Sequence, residues 1–327
     1  MKYLITGGAG FIGSHLCDLL LSEGHHITIL DDLSTGSWDN IAHLENHPHF
    51  TPVIDTILNE MVMDRLVSLC DVVVHLAAAV GVQLIVNDPF HTIRTNVIGT
   101  DCVLKAACRY RKKVMIASTS EIYGKNSKIP FHEDDDTTSG PTTKQRWSYA
   151  CSKAMDEFAA FACAKSQNLP VIIVRLFNTV GPRQTGMYGM VIPSLMKQAL
   201  LGKDLTVYGT GDQSRCFNNV SVVIRAIRDL VNCPQALGQV FNIGTDEQVS
   251  INELAERILR LTGSSSKIVH IPYSQAYQEG FEDMMVRVPA LEKIKSVITY
   301  SPNKKLDDTL KEVMIFVKSR IDAGKIR

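Results

Sequence analysis

The chain has 327 residues, 45% of them apolar and 21% charged, a balance that excludes a disordered, collagen-like or coiled-coil protein. Lys plus Arg and Asp plus Glu each total 34, so no net charge is available to attract a nucleic acid or an anionic membrane. The length is that of one large domain or two closely joined ones.

Short apolar runs alternate with amphipathic stretches through the first half. Strands are expected at Tyr3–Thr6, His26–Leu30, Asp71–Leu76, Lys113–Ser118 and Val171–Leu176, and helices at Phe11–Ser22, Thr95–Arg109 and Tyr149–Ser166. That rhythm predicts an α/β fold built on a doubly wound parallel sheet, with helices on both faces. After Gly181-Pro182-Arg183 the pattern changes. Helices at Val191–Leu201, Ser250–Leu261 and Lys304–Ser319, with short strands at Asp204–Tyr208 and Val240–Gly244, predict a smaller mixed lobe. The expected division is a Rossmann domain over 1–178, with a returning segment near 219–245, and a lobe from 179–218 and 246–327. Ser250 with Glu253 reads as a capping box. The acidic run from Glu133 to Asp136 reads as a solvated loop.

The eight cysteines form no CxxC pair and no His/Cys cluster at zinc spacing, so they read as small buried hydrophobes in a reducing compartment, with no metal. The first residues lack the apolar run of a signal peptide, and no segment has the length of a membrane span. The expectation is a cytoplasmic protein with no membrane and no nucleic-acid partner.

Gly7-Gly8-Ala9-Gly10-Phe11-Ile12-Gly13 joins the first strand to the first helix. Glycines spaced in this way permit a tight turn, backbone approach to a pyrophosphate and close helix–strand packing, and the helix start offers free N–H groups. A second strand ends in Asp31, 18 residues after Gly13. A carboxylate there accepts the ribose hydroxyls and repels a ribose phosphate, which points to NAD rather than NADP.

Tyr149 and Lys153 stand four apart on one helical face, where an ammonium can stabilise a phenolate. The strand ending in Ala117-Ser118-Thr119-Ser120-Glu121 aims a hydroxyl and a carboxylate at the same crevice. With GGAGFIG, Leu30-Asp31-Asp32, His75-Leu76-Ala77-Ala78, Asn96-Val-Ile-Gly-Thr100, Arg175-Leu-Phe-Asn178 and Gly181-Pro-Arg183, the sequence resembles the extended short-chain dehydrogenases/reductases that act on nucleotide sugars. The resemblance covers essentially the whole chain. It implies Tyr149 as acid/base, Lys153 as its partner and ribose ligand, and Thr119 as the hydroxyl on the sugar O4. It implies a cofactor site of Gly7, Gly10, Phe11, Ile12, Gly13, Asp31, Asp32, Ser34, Thr35, Gly36, Asp55, Leu76, Ala77, Ala78 and Asn96, with Tyr149 and Lys153. It implies Ser120, Asn178, Arg183, Arg215 and Arg287 as substrate ligands. A homodimer packed on the Thr95–Arg109 and Tyr149–Ser166 helices follows from the same likeness.

Three features select a subgroup. Glu121, two residues after Thr119, is typical of 4,6-dehydratases and UDP-glucuronate decarboxylases. The segment from Gly140 to Lys153 is similar to UDP-apiose/UDP-xylose synthases and to the decarboxylase domain that makes a 4-keto-pentose. Ser214-Arg215-Cys216-Phe217 and the stretch from Gly280 to Pro289 resemble the same groups. The resemblance therefore implies C4 oxidation followed by decarboxylation of a UDP-glucuronate-like substrate, with Arg215 on its carboxylate. Glu121 would then protonate C5 if a second anion raises its pKa. A 4,6-dehydratase, a 4-epimerase and a non-catalytic NAD-binding sensor or scaffold are the alternatives.

Overall fold

Strands whose successive side chains point to opposite faces, all of them apolar, demand cover on both sides. The computed structural model, which describes residues 1–81, 85, 88–186, 189–272 and 284–326, provides it. Its strands are β1 (Lys2–Thr6), β2 (His26–Asp31), β3 (Phe50–Ile54), β4 (Val72–His75), β5 (Lys113–Thr119), β6 (Val171–Leu176) and a last strand, Gln239–Ile243. They form one seven-stranded sheet in the order Gln239–Ile243, β6, β5, β4, β1, β2, β3. Every pairing in it is parallel. The chain leaves β3 and returns beyond β1 to form β4. The carboxyl ends of β1 and β4 therefore diverge into a crevice, the place where such sheets bind ligands.

Tyr3 and Ile5 enter the cluster that contains Leu16, Cys17 and Leu20 of helix α1 (Phe11–Ser22) and Val223, Ile227 and Leu230 of the helix Val220–Asn232. Leu4 enters the opposite cluster, with Met63 and Val67 of helix α2 (Glu60–Leu69), Val103 and Ala107 of the helix Gly99–Tyr110, and Ala160 of the helix Trp147–Gln167. The residues before Gly99 are wound as a π-helix, Arg94–Ile98.

A third cluster joins the helices Val191–Leu200, Ile251–Thr262 and Leu306–Asp322 through Leu195, Leu254, Ile258, Leu310 and Val313. Leu291, Ile294 and Tyr300, expected in the lobe, pack instead in the α1-side core of the sheet. The capping box is half formed. The Ser250 hydroxyl accepts from the Glu253 N–H at 3.1 Å, but the Glu253 carboxylate pairs with Arg257 at 2.6 Å.

Other expectations are corrected. β3, α2 and the helix Val220–Asn232 were not anticipated as elements. The acidic run is not wholly solvated, because Glu133 is buried and its carboxylate accepts from the Asn242 N–H at 2.8 Å. Cysteines 17, 70, 102 and 216 are buried as expected, but Cys151 is exposed. No described helix is long and apolar enough to cross a membrane.

Candidate active site

At the end of β1 the backbone turns through Gly7 at φ +72°, where a Cβ would stand 2.8 Å from the Ala77 nitrogen. A Cβ on Gly13 would lie 2.2 Å from the Gly7 carbonyl oxygen. Side chains are thus excluded where the loop after β4 and the start of α1 crowd together. Gly10 is the N-cap of α1 and provides no side chain to the helix N–H groups, so that end is open to a phosphate. Asp31 ends β2 beside this turn. Its carboxylate accepts from Ala9 N–H at 2.9 Å and Leu33 N–H at 2.9 Å. Burial raises its pKa, against the pull of those amides. A Cβ on Gly36 would come within 2.8 Å of Asp31 Oδ1, so Gly36 keeps the carboxylate's approach clear. These features fit a dinucleotide with a free ribose diol.

The remaining cofactor residues are placed unevenly. Asn96 is buried, with its amide bonded to both backbone groups of Ala79, at 2.8 and 3.3 Å, and to the Ser152 hydroxyl at 3.1 Å. That arrangement fixes the loop carrying Leu76, Ala77 and Ala78. Asp55 is occupied locally, accepting from Thr56 N–H at 2.7 Å and from Asn59 at 2.9 Å. Asp32 lies exposed and accepts from the N–H of Ser34 at 3.0 Å and its hydroxyl at 2.5 Å. Thr35, Phe11 and Ile12 are partly exposed around the same turn.

Thr119 is the last residue of β5, and its hydroxyl caps the short turn Ser120–Tyr123 by accepting from Glu121 N–H at 3.3 Å. The Tyr149 hydroxyl lies close to that of Thr119, which favours its ionised form. Burial and the anions Glu121 and Asp156 push the phenol's pKa up, while Thr119 and Arg146 oppose them. Lys153, one turn on, is buried and pairs with Asp156 at 2.7 Å. The structure thus gathers Thr119, Glu121, Tyr149 and Lys153, with the buried Ser120 beside them.

Glu121 is the centre of the electrostatics. Its carboxylate is paired with Arg146 on one oxygen and with Arg287 at 3.4 Å on the other. Burial alone would raise its pKa. The charges of Arg146 and Arg287, the Arg146 hydrogen bond and the charge of Arg215 outweigh burial and bring it down to about 2. The arginines thus hold Glu121 ionised, and protonation of C5 from it requires the second anion named above. Arg215 is buried beside this group and donates to the Ser214 carbonyl at 2.8 Å.

Arg146 was not singled out from the sequence. It sits one residue before the Tyr149 helix in a Lys-Gln-Arg run that reads as surface, and only its proximity to Tyr149 signalled a role. Arg183, expected at the substrate, pairs through one nitrogen with Asp18 of α1 at 2.8 Å, and its Nη1 has no protein partner among the described residues. The side-chain nitrogen of Asn178 and the Nε of Arg287 have no protein partner among the described residues. The Gly280–Asp283 part of the motif that ends at Pro289 lies outside the described residues. Trp147 is a packing residue, buried with Ile122, Tyr123, Phe131, Phe177 and Met284. Among the described residues no three His, Cys, Asp or Glu side chains form a metal-holding group.

A parallel sheet with a glycine turn at its switch point, a ribose-directed carboxylate and a Thr/Tyr/Lys triad defines an extended short-chain dehydrogenase/reductase. More narrowly, the chain belongs to the GDP-mannose 4,6 dehydratase family, which matches over residues 4–313. It is 44% identical, over 96% of both chains, to a UDP-N-acetyl-alpha-D-glucosaminuronate decarboxylase of Bacillus cytotoxicus. It is 32% identical to UDP-glucuronic acid decarboxylase 1 of Xenopus tropicalis, over 98% of this chain and 73% of the relative. Among solved structures, UDP-glucuronic acid 4-epimerase of Bacillus cereus, in complex with UDP-glucuronic acid and NAD, superposes with a TM-score of 0.88. The two are 29% identical, over 98% of this chain and 99% of that one.

Proposed function

We propose that the protein is an NAD-dependent decarboxylase of an acidic UDP-sugar. The observation that carries this reading is the gathering of three guanidinium groups, from Arg146, Arg215 and Arg287, around the single carboxylate of Glu121. Such a surplus of buried positive charge suits a substrate that brings its own carboxylate. The decarboxylase relatives and the fit of the glycine turn to a dinucleotide support it.

Bound NAD supplies a hydride acceptor at the sugar C4. Tyr149 takes the O4 proton while the Thr119 hydroxyl holds O4, so that C4 becomes a ketone. The C5 carboxylate is then β to a carbonyl. Its bond to C5 breaks, the electron pair moves into the ring as an enolate on O4, and CO₂ leaves. The arginines orient that carboxylate, but Glu121 competes for them and keeps the grip from becoming too strong to release CO₂. The substrate carboxylate is also the second anion that Glu121 lacks in the structure. Its arrival raises the Glu121 pKa and makes Glu121, directly or through water, the donor of the C5 proton.

The subunits are read as a homodimer. Phe158 and Met155 on the Tyr149 helix, with Phe90, Ile93 and Ile98 just before the helix Gly99–Tyr110, leave large apolar side chains exposed on neighbouring helices.

Products from UDP-glucuronate, UDP-N-acetylglucosaminuronate, UDP-glucose and GDP-mannose, resolved by mass spectrometry, test the reaction. CO₂ loss from an acidic UDP-sugar is expected. With Glu121→Gln, reduced NAD should still form while CO₂ release falls about a hundredfold or more. Water loss from a neutral hexose, or C4 epimers at unchanged mass with no CO₂, would replace the decarboxylase by a dehydratase or an epimerase.

A further inference from the structure

A buried polar chain leads away from the catalytic lysine on the side opposite the arginines. Lys153 Nζ donates to Asp156 Oδ2 at 2.7 Å, and both side chains are almost fully buried. The Thr100 hydroxyl lies close to Asp156 and favours its charged form, while Asp156 Oδ1 has no hydrogen-bond partner among the described residues. His75 Nε2 lies 3.1 Å from Thr100 Oγ1, and His75 Nδ1 lies 2.7 Å from Thr6 Oγ1. Thr6 Oγ1 accepts from the Ala77 N–H at 3.2 Å. Burial and the charge of Lys153 hold the imidazole pKa near about 3, so His75 is neutral, with one donor and one acceptor nitrogen.

With the Thr100 proton directed at the Asp156 carboxylate, one assignment satisfies both nitrogens of His75. The Ala77 amide donates to Thr6, Thr6 to His75 Nδ1, His75 Nε2–H to Thr100, and Thr100 to the Asp156 carboxylate. Each hydroxyl gives one bond and accepts one, and the whole chain is polarised toward Asp156. Its far end is the loop against which Gly7 packs.

We propose that Asp156 is the anchored counter-charge of Lys153, a positioning residue that ties the catalytic ammonium to the cofactor-side loop and opposes formation of the Tyr149 phenolate. The inference rests on the reading of Tyr149 as the base. The ionisable groups around Tyr149 are Glu121 and Arg146, with Arg287 and Arg215 behind Glu121; Lys153 and Asp156 on its own helix; and neutral His75 from β4. Of the two anions acting on the phenol, Glu121 has the larger effect and is paired with arginines, and Asp156 is paired with Lys153. Glu157, next in sequence, is committed to Arg175.

The test is the pH profile of enzyme-bound NADH formation in single turnovers, using whichever nucleotide sugar the unmutated protein accepts. Removing the charge with Asp156→Asn makes the phenolate easier to form. The rising acid limb should move to lower pH, and the variant-to-unmutated rate ratio should climb about three- to tenfold between the alkaline plateau and the acid limb. Asp156→Ser, which removes the same charge in a smaller neutral side chain, should move the limb the same way. It decides the matter if Asp156→Asn does not fold. A limb that stays in place in a folded variant overturns the proposal, since a purely structural role would lower the rate equally at every pH. If the unmutated protein forms no NADH with any sugar, the base reading fails and this inference falls with it. NADH formed on an unmoved limb fails this inference alone.

Discussion

Tyr149→Phe should reduce the single-turnover formation of enzyme-bound NADH by about a hundred- to ten-thousandfold with every sugar that the unmutated protein oxidises. The hydroxyl is the only part of the side chain removed. The ring sits in a buried pocket whose shape phenylalanine reproduces, so folding and cofactor affinity should be retained. The loss should be steep because the phenol is a reluctant acid here. Burial, Glu121 and Asp156 all favour its neutral form, so the rate should rise with pH along the acid limb as the phenolate forms. Absorbance of reduced nicotinamide after mixing with substrate measures it. A phenylalanine variant that reduces bound NAD within about tenfold of normal would remove Tyr149 from the acid/base role.

Glu157→Leu should cost about 3–5 kcal/mol of folding stability, read as a lowered denaturant midpoint. Arg175 on β6 is held by both carboxylate oxygens of Glu157, at 3.0 and 2.7 Å, and also donates to the Tyr123 hydroxyl at 2.9 Å and the Glu133 carbonyl at 2.7 Å. Both side chains are buried, so deleting the carboxylate strands a guanidinium in the interior. The double change Arg175→Met with Glu157→Leu should recover most of the loss, since an apolar pair of similar volume needs no counter-ion. A single variant less than about 1 kcal/mol below the unmutated protein would show that water or another anion compensates Arg175.

The doubly wound sheet was legible because its strands are continuous apolar runs and its helices strongly periodic. β3 escaped notice because Pro52 breaks the pattern. That proline is tolerated because β3 is the edge strand, with one side free of pairing. The glycine turn, Asp31 and the Tyr149/Lys153 pair were legible because their chemistry depends on local spacing. The setting of Glu121 was not. Its pKa depends on arginines at 146, 215 and 287, and nothing within a helical turn of Glu121 announces three cations. The ion pair of Arg183 was equally out of reach, because its partner Asp18 lies far back in the sequence on α1. Asp156 was within reach, since three residues beyond Lys153 is the same helical face.

The Glu121 cluster also couples parts of the molecule that have separate apolar cores. Glu121 follows β5 of the central sheet, Arg215 lies on the short strand Ser214–Cys216 that pairs with Gln248–Ser250, and Arg287 lies in the stretch that leads back to the sheet. Packing of Met284 against Ile122 and Tyr123, and the Ser214 N–H donating to the Met285 carbonyl at 2.9 Å, bring the segments together, and the Glu121 carboxylate adds the charge link between them. Glu121 therefore works as a keystone. A shift of any of the three segments would leave a buried ion partly uncompensated, so the seating of the lobe and the grip on an acidic sugar are set by the same electrostatic balance.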